Sequence, residues 1–243
     1  MTHSFRWPEG KRVALSLTFD DARFSQATTG LPLLDKLGAK GVFYVSLNLL
    51  DHHLERWRKA LADGHEIGNH TATHPCTGNY PWSRQNALED YTLERLEKDI
   101  TDANAGLLQR LNLIPATFAY PCGQKFVGRG EHLQSYVPVV AKHFKAARGF
   151  RDEYANDPSF CDFAQLGGID FDNTPADKLI ERIKGAAKEG RWVIFAGHEV
   201  SEAPRQAVSP EALEALCKYA LDPKNGVWLD TVATISRFIQ AQR

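Results

Sequence analysis

Strand-like and helix-like segments alternate along this chain, and that alternation constrains its fold more than any other feature. Residues 12–19 read RVALSLTF, in which Val13, Leu15, Leu17 and Phe19 share one face of a strand with a period of two. The other predicted strands are 41–47, 65–69, 116–120, 146–150, 166–171, 191–196 and 226–229. About seven strand–helix units without a linker predict one α/β domain over residues 1–243 with a parallel sheet, either open or closed into a barrel.

Helix boundaries follow from capping residues between the predicted strands. A helix is expected from about Ser25 to Leu37, with Gly38 as its C-cap. Ser83 is expected to cap a long helix that runs to about Leu111 and carries an apolar stripe. The remaining expected helices are 54–63, 134–143, 174–188, 210–220 and 231–243.

The composition is ordinary for a globular protein and argues against several classes of function. The chain has 29 Lys and Arg residues against 30 Asp and Glu residues, a formal net charge of −1. This balance predicts no nucleic-acid partner and no anionic membrane surface. No segment approaches the ~18–20 consecutive apolar residues of a membrane helix. Because the N terminus lacks the pattern of a secretory signal, we expect a cytoplasmic protein, or a secreted one if a leader is missing.

The cysteine pattern predicts free thiols. The four cysteines are Cys76, Cys122, Cys161 and Cys217, and none of them forms a CxxC pair. A chain of this length builds its own core and does not need disulfides for stability, so we expect free thiols rather than disulfides.

Polar side chains interrupt the apolar pattern at the ends of four predicted strands. These ends carry Asp20-Asp21, the segment 70–74 (HTATH), the segment 120–123 (YPCG), and His198. Ligand and active sites of parallel α/β folds lie beyond the C-terminal ends of the strands. The four groups are therefore expected to converge on one site.

Each of these groups also has an ordinary structural explanation. His70 and His74 have a spacing that lets both imidazoles reach one metal ion across a turn, yet two unrelated histidines fit the same pattern. Asp20 and Asp21 point in opposite directions along the strand, so one can bind a metal while the other acts as a base; a solvated pair of acids is the alternative. His198 is either a proton donor or a core histidine.

Taken together, these motifs resemble those of the polysaccharide deacetylases, a family of metal-dependent carbohydrate esterases. Residues 18–21 (TFDD) are similar to the family's first motif, TFDDG, with Ala22 in place of the glycine. Residues 64–75 (GHEIGNHTATHP) resemble the second motif, residues 118–123 (FAYPCG) the third, and residues 195–198 (FAGH) the fifth. The order and spacing of the motifs agree from about residue 10 to about residue 240.

The resemblance implies a distorted (β/α) barrel of about seven parallel strands in a single domain. It implies that Asp21, His70 and His74 hold a divalent metal, with zinc first and cobalt, nickel or manganese as alternatives. It assigns the general base to Asp20 and the general acid to His198. The backbone N–H of Cys122 would stabilise the oxyanion, where the family has a tyrosine.

Two parts of the family pattern are altered here. The third motif of the family carries an arginine beside the base, and Ala119 occupies that position. Arg148 is a candidate to supply the missing cation, and a surface arginine is the alternative. Asp170 and Asp172 are both candidates to orient His198.

The resemblance implies that the chain removes N- or O-linked acetyl groups from a carbohydrate. Tyr120, Pro121, Trp82 and Arg148 are the expected substrate-binding residues. Among the loop aromatics, Tyr80, Trp82 and Tyr154 can stack on sugar faces or anchor loops by packing. Two other functions fit the same scaffold: hydrolysis of a non-sugar C–N bond, and sugar binding without catalysis.

Overall fold

A computed structural model of the chain describes residues 5–203 and 205–243. The strands are Val13–Asp21 (β1), Val42–Val45 (β2), Glu66–Asn69 (β3), Thr117–Ala119 (β4), Phe126–Val127 (β5), Gln134–Ser135 (β6), Ala146–Arg148 (β7), Ile169–Asp170 (β8), Trp192–Gly197 (β9), Glu199–Val200 (β10), Ala207–Val208 (β11) and Val227–Leu229 (β12). The α-helices are Leu31–Leu37 (α1), Leu47–Leu50 (α2), Leu54–Ala62 (α3), Leu93–Leu111 (α4), Val137–His143 (α5), Ala176–Lys188 (α6), Pro210–Leu221 (α7) and Val232–Gln240 (α8). Short 3-10 turns lie at Asp51–His53, Pro81–Asn86, Leu88–Asp90, Pro121–Gly123, Gly130–His132, Phe163–Gln165 and Pro223–Asn225, and a π-turn lies at Gln26–Gly30.

Eight of the strands form one parallel sheet that curls into a distorted barrel. The order around the sheet is β7-β4-β3-β2-β1-β9-β8, and β12 pairs with the first residues of β1. Leu166, just before β8, forms a parallel bridge with Arg148 of β7. The Leu166 N–H donates to the Ala147 carbonyl at 2.9 Å, and the Gly149 N–H donates to the Leu166 carbonyl at 2.8 Å. These bonds join the two ends of the sheet, so the expectation of a distorted (β/α) barrel is confirmed.

The alternation of β1 separates an apolar outer face from a polar inner face. Val13, Leu15, Leu17 and Phe19 belong to the large core cluster that packs the sheet against the helices. The residues between them point into the barrel, where Ser16 and Thr18 are buried and bond to Asp230 and Phe195 carbonyls. Because side chains alternate along a strand, Asp20 also points inward, whereas Asp21 follows at the mouth of the barrel.

The helix that Ser83 is expected to cap begins nine residues later, at Leu93 instead of Arg84. The Ser83 hydroxyl accepts from the N–H of Cys76 and donates to the Cys76 carbonyl, so it holds a turn rather than a helix end. Thr92 is the actual N-cap, and its hydroxyl accepts from the N–H of Arg95 at 3.2 Å. The residues between form short turns at the mouth of the barrel.

The prediction of four free thiols is wrong for two of the cysteines. Cys76 and Cys122 form a disulfide with a Cα–Cα distance of 6.1 Å, although they are separated by 46 residues in sequence. The fold places both residues in loops at the mouth of the barrel, within the range that a disulfide spans. Cys161 and Cys217 are free.

Within the described residues, no helix is long and apolar enough to cross a lipid bilayer.

Candidate active site

The C-terminal end of β1 and the turn after β3 bring together three side chains that could hold a metal ion. Asp21 Oδ1 lies 3.6 Å from His70 Nε2 and 3.5 Å from His74 Nε2. The other carboxylate oxygen of Asp21 accepts a hydrogen bond from Arg23 Nε at 2.9 Å. One oxygen of the carboxylate is therefore held by Arg23, and the other faces both imidazoles.

These distances fit a divalent metal with two histidine ligands and one carboxylate. Bonds of about 2.0–2.2 Å in a tetrahedral geometry put neighbouring ligand atoms about 3.3–3.6 Å apart. The Ala119 carbonyl accepts a hydrogen bond from His70 Nδ1 at 2.8 Å. The ring proton therefore lies on Nδ1, and the Nε2 lone pair faces Asp21. Burial lowers the pKa of His74 to about 4, so its imidazole is neutral at neutral pH. The residues present therefore suit zinc, cobalt, nickel or manganese.

Hydrogen bonds around Asn69 fix the turn that carries both histidines. The Asn69 amide donates to the Ile100 carbonyl of α4 at 3.0 Å, and its side-chain oxygen accepts from the N–H of Thr71 at 2.7 Å. The Thr71 hydroxyl in turn accepts from the N–H of His74 at 3.0 Å. The ligand geometry thus depends on contacts with the long helix and not on the turn alone.

Asp20 lies behind the histidines in an ion pair with Arg148. The Arg148 guanidinium contacts the Asp20 carboxylate, donates to Thr18 Oγ1 at 3.1 Å, and lies over the Tyr44 ring at 4.7 Å. Asp20 is 3% exposed and Arg148 is 0% exposed. Burial favours the protonated acid, but the positive charge of Arg148 and its hydrogen bond outweigh burial and lower the pKa of Asp20. Asp20 is therefore ionised although it is buried.

His198 follows β9, the strand next to β1, lines the same pocket and pairs with Asp172. Its Nδ1 lies 2.6 Å from Asp172 Oδ2, and its backbone N–H donates to Asp172 Oδ1 at 3.0 Å. Burial opposes the charged imidazolium, but the Asp172 hydrogen bond and the nearby negative charges outweigh it and raise the pKa of His198. Asp170 bonds instead to Arg151 and to the N–H of Asp172, so Asp172 is the residue that orients His198.

Cys122 and Trp82 line the same open pocket, which has a volume of about 440 Å³. Cys122 adopts a left-handed backbone conformation, with φ 54°. Asp21, Thr71, His74 and Cys122 all have positive φ values, a conformation that costs energy in residues other than glycine. Such strain clusters at functional sites, where surrounding contacts hold it in place.

Comparison with known proteins agrees with this geometry. The family model described as polysaccharide deacetylase matches residues 3–132, more than half of the 243-residue chain. The chain belongs to the polysaccharide deacetylase family.

Three relatives illustrate the range of proteins that this deacetylase-family chain resembles. A gellan lyase from Bacillus sp is 27% identical over 224 residues, which cover 91% of the chain but only 7% of that protein. The chain therefore spans a small part of the length of this relative. A Mycobacterium smegmatis structure with the same family description has a TM-score of 0.66 and 18% identity, covering 98% of this chain and 94% of that one. A family 4 acetyl xylan esterase from Clostridium thermocellum, in complex with a cobalt ion, has a TM-score of 0.60 and 19% identity; the match covers 95% of this chain and 96% of that one.

The altered third motif of this deacetylase-family chain has a structural explanation. Ala119, at the position of the family's arginine, is the register partner of Arg148 on the adjacent strand β7. Side chains paired in a parallel ladder lie on the same face of the sheet, so a guanidinium from either position can reach the barrel interior. The cation beside Asp20 comes from the neighbouring strand.

Several expected substrate-binding residues do not line the pocket. Tyr120 is buried, and its hydroxyl donates to the Ala164 carbonyl at 2.7 Å. Pro121 is also buried, and Arg148 is enclosed around Asp20. The pocket lining therefore does not support substrate contacts for these three residues, because Tyr120 packs with α4 and α5 and Arg148 is paired with Asp20. Tyr154 lies in a different pocket, while Tyr80 joins Trp82 at the active-site rim.

The motif comparison missed four residues that line the pocket. Arg23, Phe150, Arg151 and Gln206 face it from three different loops. The rule that strand ends build the site points to Phe150 and Arg151, which follow β7. The position of Arg23, two residues after Asp21 at a strand end, also indicates that it lies near the site. Nothing in the sequence near Gln206 indicates its place, because its loop is brought in by tertiary contacts.

Proposed function

We propose that this chain hydrolyses acetyl groups on a carbohydrate, with a divalent metal, zinc first of all, at Asp21, His70 and His74. The observation that carries the proposal is that two ionisable groups, each in a hydrogen-bonded ion pair and with pKa values shifted in opposite directions, line the same pocket as these three residues. Asp20 with Arg148 is an ionised acid, and His198 with Asp172 is an imidazole that favours its proton. Groups whose surroundings push their pKa values apart can serve as base and acid in one reaction.

Asp20 acts as the general base. Its carboxylate lines the pocket, and Arg148 keeps it ionised at neutral pH. It accepts a proton from the water that attacks the acetyl carbonyl. A divalent metal bound to Asp21, His70 and His74 would polarise that carbonyl and make the water more acidic.

Backbone and imidazole donors complete the reaction. As the tetrahedral intermediate forms, the Cys122 N–H donates to the carbonyl oxygen, where negative charge develops. His198 then protonates the leaving oxygen or nitrogen of the sugar, and Asp172 holds its imidazole in the required orientation. An amine leaves poorly without that proton, so His198 matters more for an N-acetyl than for an O-acetyl substrate.

Trp82 and Tyr80 supply the surface for the sugar. Their rings stack at 5.5 Å between centroids with an interplanar angle of 10°, and the Trp82 ring lies 6.0 Å from His74. Trp82 is 63% exposed and lines the pocket, so part of its indole surface is available to a sugar. Flat apolar faces of this kind suit a pyranose ring, and the distance from His74 suits a sugar whose acetyl group reaches the metal ligands.

Acetate release by the metal-reconstituted protein tests the proposal. The panel comprises N-acetyl amino sugars, chitooligosaccharides, peptidoglycan fragments and O-acetylated xylan, each with a chelator control. We expect release that a chelator abolishes, and the responding substrate decides between an amide and an ester. Absence of release from every substrate by a metal-loaded protein would refute deacetylation.

Asp20→Asn separates the base from the metal ligands. We expect turnover to fall about 10²–10⁴-fold, the usual contribution of a general base, with bound metal unchanged. Asp102→Asn, on the exposed face of α4, is the matched control and keeps full activity. Normal turnover in Asp20→Asn would exclude Asp20 as the base.

A further inference from the structure

His74 lies between two different sets of possible metal ligands. Its Nε2 faces the carboxylate of Asp21 at 3.5 Å. Its Nδ1 faces the sulfur of Cys76 at 3.8 Å, and that sulfur is bonded to Cys122. His74 Nδ1 and the two sulfurs lie within 4.8 Å of one another. One imidazole therefore connects an oxygen–nitrogen ligand set with a sulfur–nitrogen set.

The sulfur set has the dimensions of a metal site once the disulfide is open. Two thiolates at about 2.3 Å from zinc in a tetrahedral geometry lie about 3.8 Å apart, and a thiolate and an imidazole nitrogen lie about 3.5 Å apart. The observed 3.8 Å between His74 Nδ1 and Cys76 Sγ is already close to that value. A Cα–Cα distance of 6.1 Å allows the two sulfurs to move apart by rotation of their side chains.

The two loops are held together by more than the disulfide. The Thr77 N–H donates to the side-chain oxygen of Gln124 at 2.7 Å. Cys76 is also fixed by Ser83, whose hydroxyl bonds to both its N–H and its carbonyl. On the other loop, the Gly123 N–H donates to the Tyr120 carbonyl at 2.8 Å. After reduction, these bonds keep Cys76 and Cys122 close to each other and to His74.

We propose that reduction of the Cys76–Cys122 disulfide opens a second metal site, in which both sulfurs and His74 Nδ1 bind a thiophilic divalent ion such as zinc. A dithiol supplies two electrons and two protons, so the S–S bond breaks, two S–H groups form, and the dithiol becomes a disulfide. The metal then replaces the two thiol protons, which pass to the buffer, and two metal–sulfur bonds form. Cys122 borders the open pocket, which gives the ion a path of entry.

An imidazole that binds an ion through Nδ1 carries its ring proton on Nε2, so His74 is then no longer available as a ligand beside Asp21 and His70. A thiolate pair is a softer ligand set than a carboxylate and favours zinc over magnesium, calcium or manganese. The site itself does not rest on the proposed deacetylation, but its effect on activity does. Disulfides persist in oxidising compartments and are reduced in the cytosol, so the compartment selects which ligand set is available.

Cobalt spectroscopy on a protein that keeps only this cysteine pair tests the proposal. Cys161→Ser and Cys217→Ala remove the two free thiols, and circular dichroism checks that the fold is retained. The protein is reduced with a dithiol, desalted without oxygen and titrated with cobalt(II). We expect a thiolate-to-cobalt charge-transfer band in the near ultraviolet after reduction and no such band before it.

Two variants in the same background identify the ligands. Cys122→Ser is expected to abolish the band, and His74→Gln to weaken cobalt binding by about tenfold or more. A folded, reduced protein without the band would overturn the proposal, as would a band that Cys122→Ser leaves unchanged. Acetate release is measured separately on the oxidised protein, so a failure of the proposed deacetylation is distinct from a failure of this site.

Discussion

Replacing Arg148 by methionine tests the ion pair on which the proposed base depends. Methionine keeps much of the length of the side chain but leaves the buried carboxylate of Asp20 without its partner. Removing one member of a buried ion pair costs about 3–5 kcal/mol. Arg148 also donates to Thr18 Oγ1 and to the Gly149 carbonyl, at 3.1 and 3.2 Å, and each lost bond adds about 1 kcal/mol. We expect a loss of about 5–7 kcal/mol in the free energy of unfolding, or roughly 10–28 °C in Tm.

The pH dependence of that loss identifies its cause. In the wild type, the lowered pKa of Asp20 contributes stability above the unfolded pKa of about 3.9, and this is lost as the pH falls through the folded pKa. Without Arg148, burial raises the pKa of Asp20 instead, so acidification neutralises the unpaired charge. The deficit measured by urea unfolding is therefore largest near neutral pH and shrinks as the pH is lowered. The acidic limb of the kcat/KM profile moves to higher pH.

Two double variants make the test specific. Asp20→Asn with Arg148→Met removes both charges and is expected to recover most of the stability but no activity. Ala119→Arg with Arg148→Ala returns the guanidinium to the family's position and is expected to recover part of the activity of the Arg148→Ala single variant. A single Arg148→Met variant within about 1 kcal/mol of wild type, with an unmoved acidic limb, would refute the reasoning.

Three further outcomes are expected at the same site. Asp172→Asn lowers the pKa of His198, so kcat on an amide substrate falls about 10²–10⁴-fold and the alkaline limb of the pH profile moves to lower pH. Protonated His198 stabilises the fold below about pH 6.5, and this stability is lost as the pH rises through its raised pKa. The stability deficit of the variant, measured by urea unfolding, is therefore largest at acidic pH, and a deficit confined to alkaline pH would contradict this. His70→Ala removes a ligand, so elemental analysis should show loss of bound metal together with loss of turnover; full metal content would exclude His70 as a ligand. Trp82→Ala raises KM about fivefold, equivalent to about 1 kcal/mol, with little change in kcat, while Phe160→Ala, an exposed aromatic of a different pocket, leaves both constants unchanged.

Local patterns in the sequence were sufficient for the eight strands of the main sheet and for the C-terminal ends of most helices, but not for the four two-residue strands β5, β6, β10 and β11. The alternation from Val13 to Phe19 predicts one outer face, and the structure packs those residues against the helices. Gly38 ends α1 in a left-handed conformation, as expected of a C-cap. Thr231 caps α8 in the same predictable way. These features depend on neighbours within a few residues, so the sequence contains all the information they need.

Features that depend on distant partners were not predicted or were left with alternatives. The sequence offered Asp170 and Asp172 equally, and only the structure brings Asp172 to His198. Serine is a common N-cap residue, but the Ser83 hydroxyl instead bonds to the N–H and the carbonyl of Cys76 and stabilises a turn.

The sequence alone determined the fold class and the residue types of the site, because the period of a strand and the chemistry of its last residues are local properties. Only the tertiary structure decided which partners meet. Arg148 on β7 reaches Asp20 on β1 across the interior of the barrel, although three strands separate them in the sheet. Cys76 reaches Cys122 because two loops converge at the mouth of the barrel. Pairings of this kind follow from sheet order and loop packing across tens of residues, and no short-range spacing encodes them.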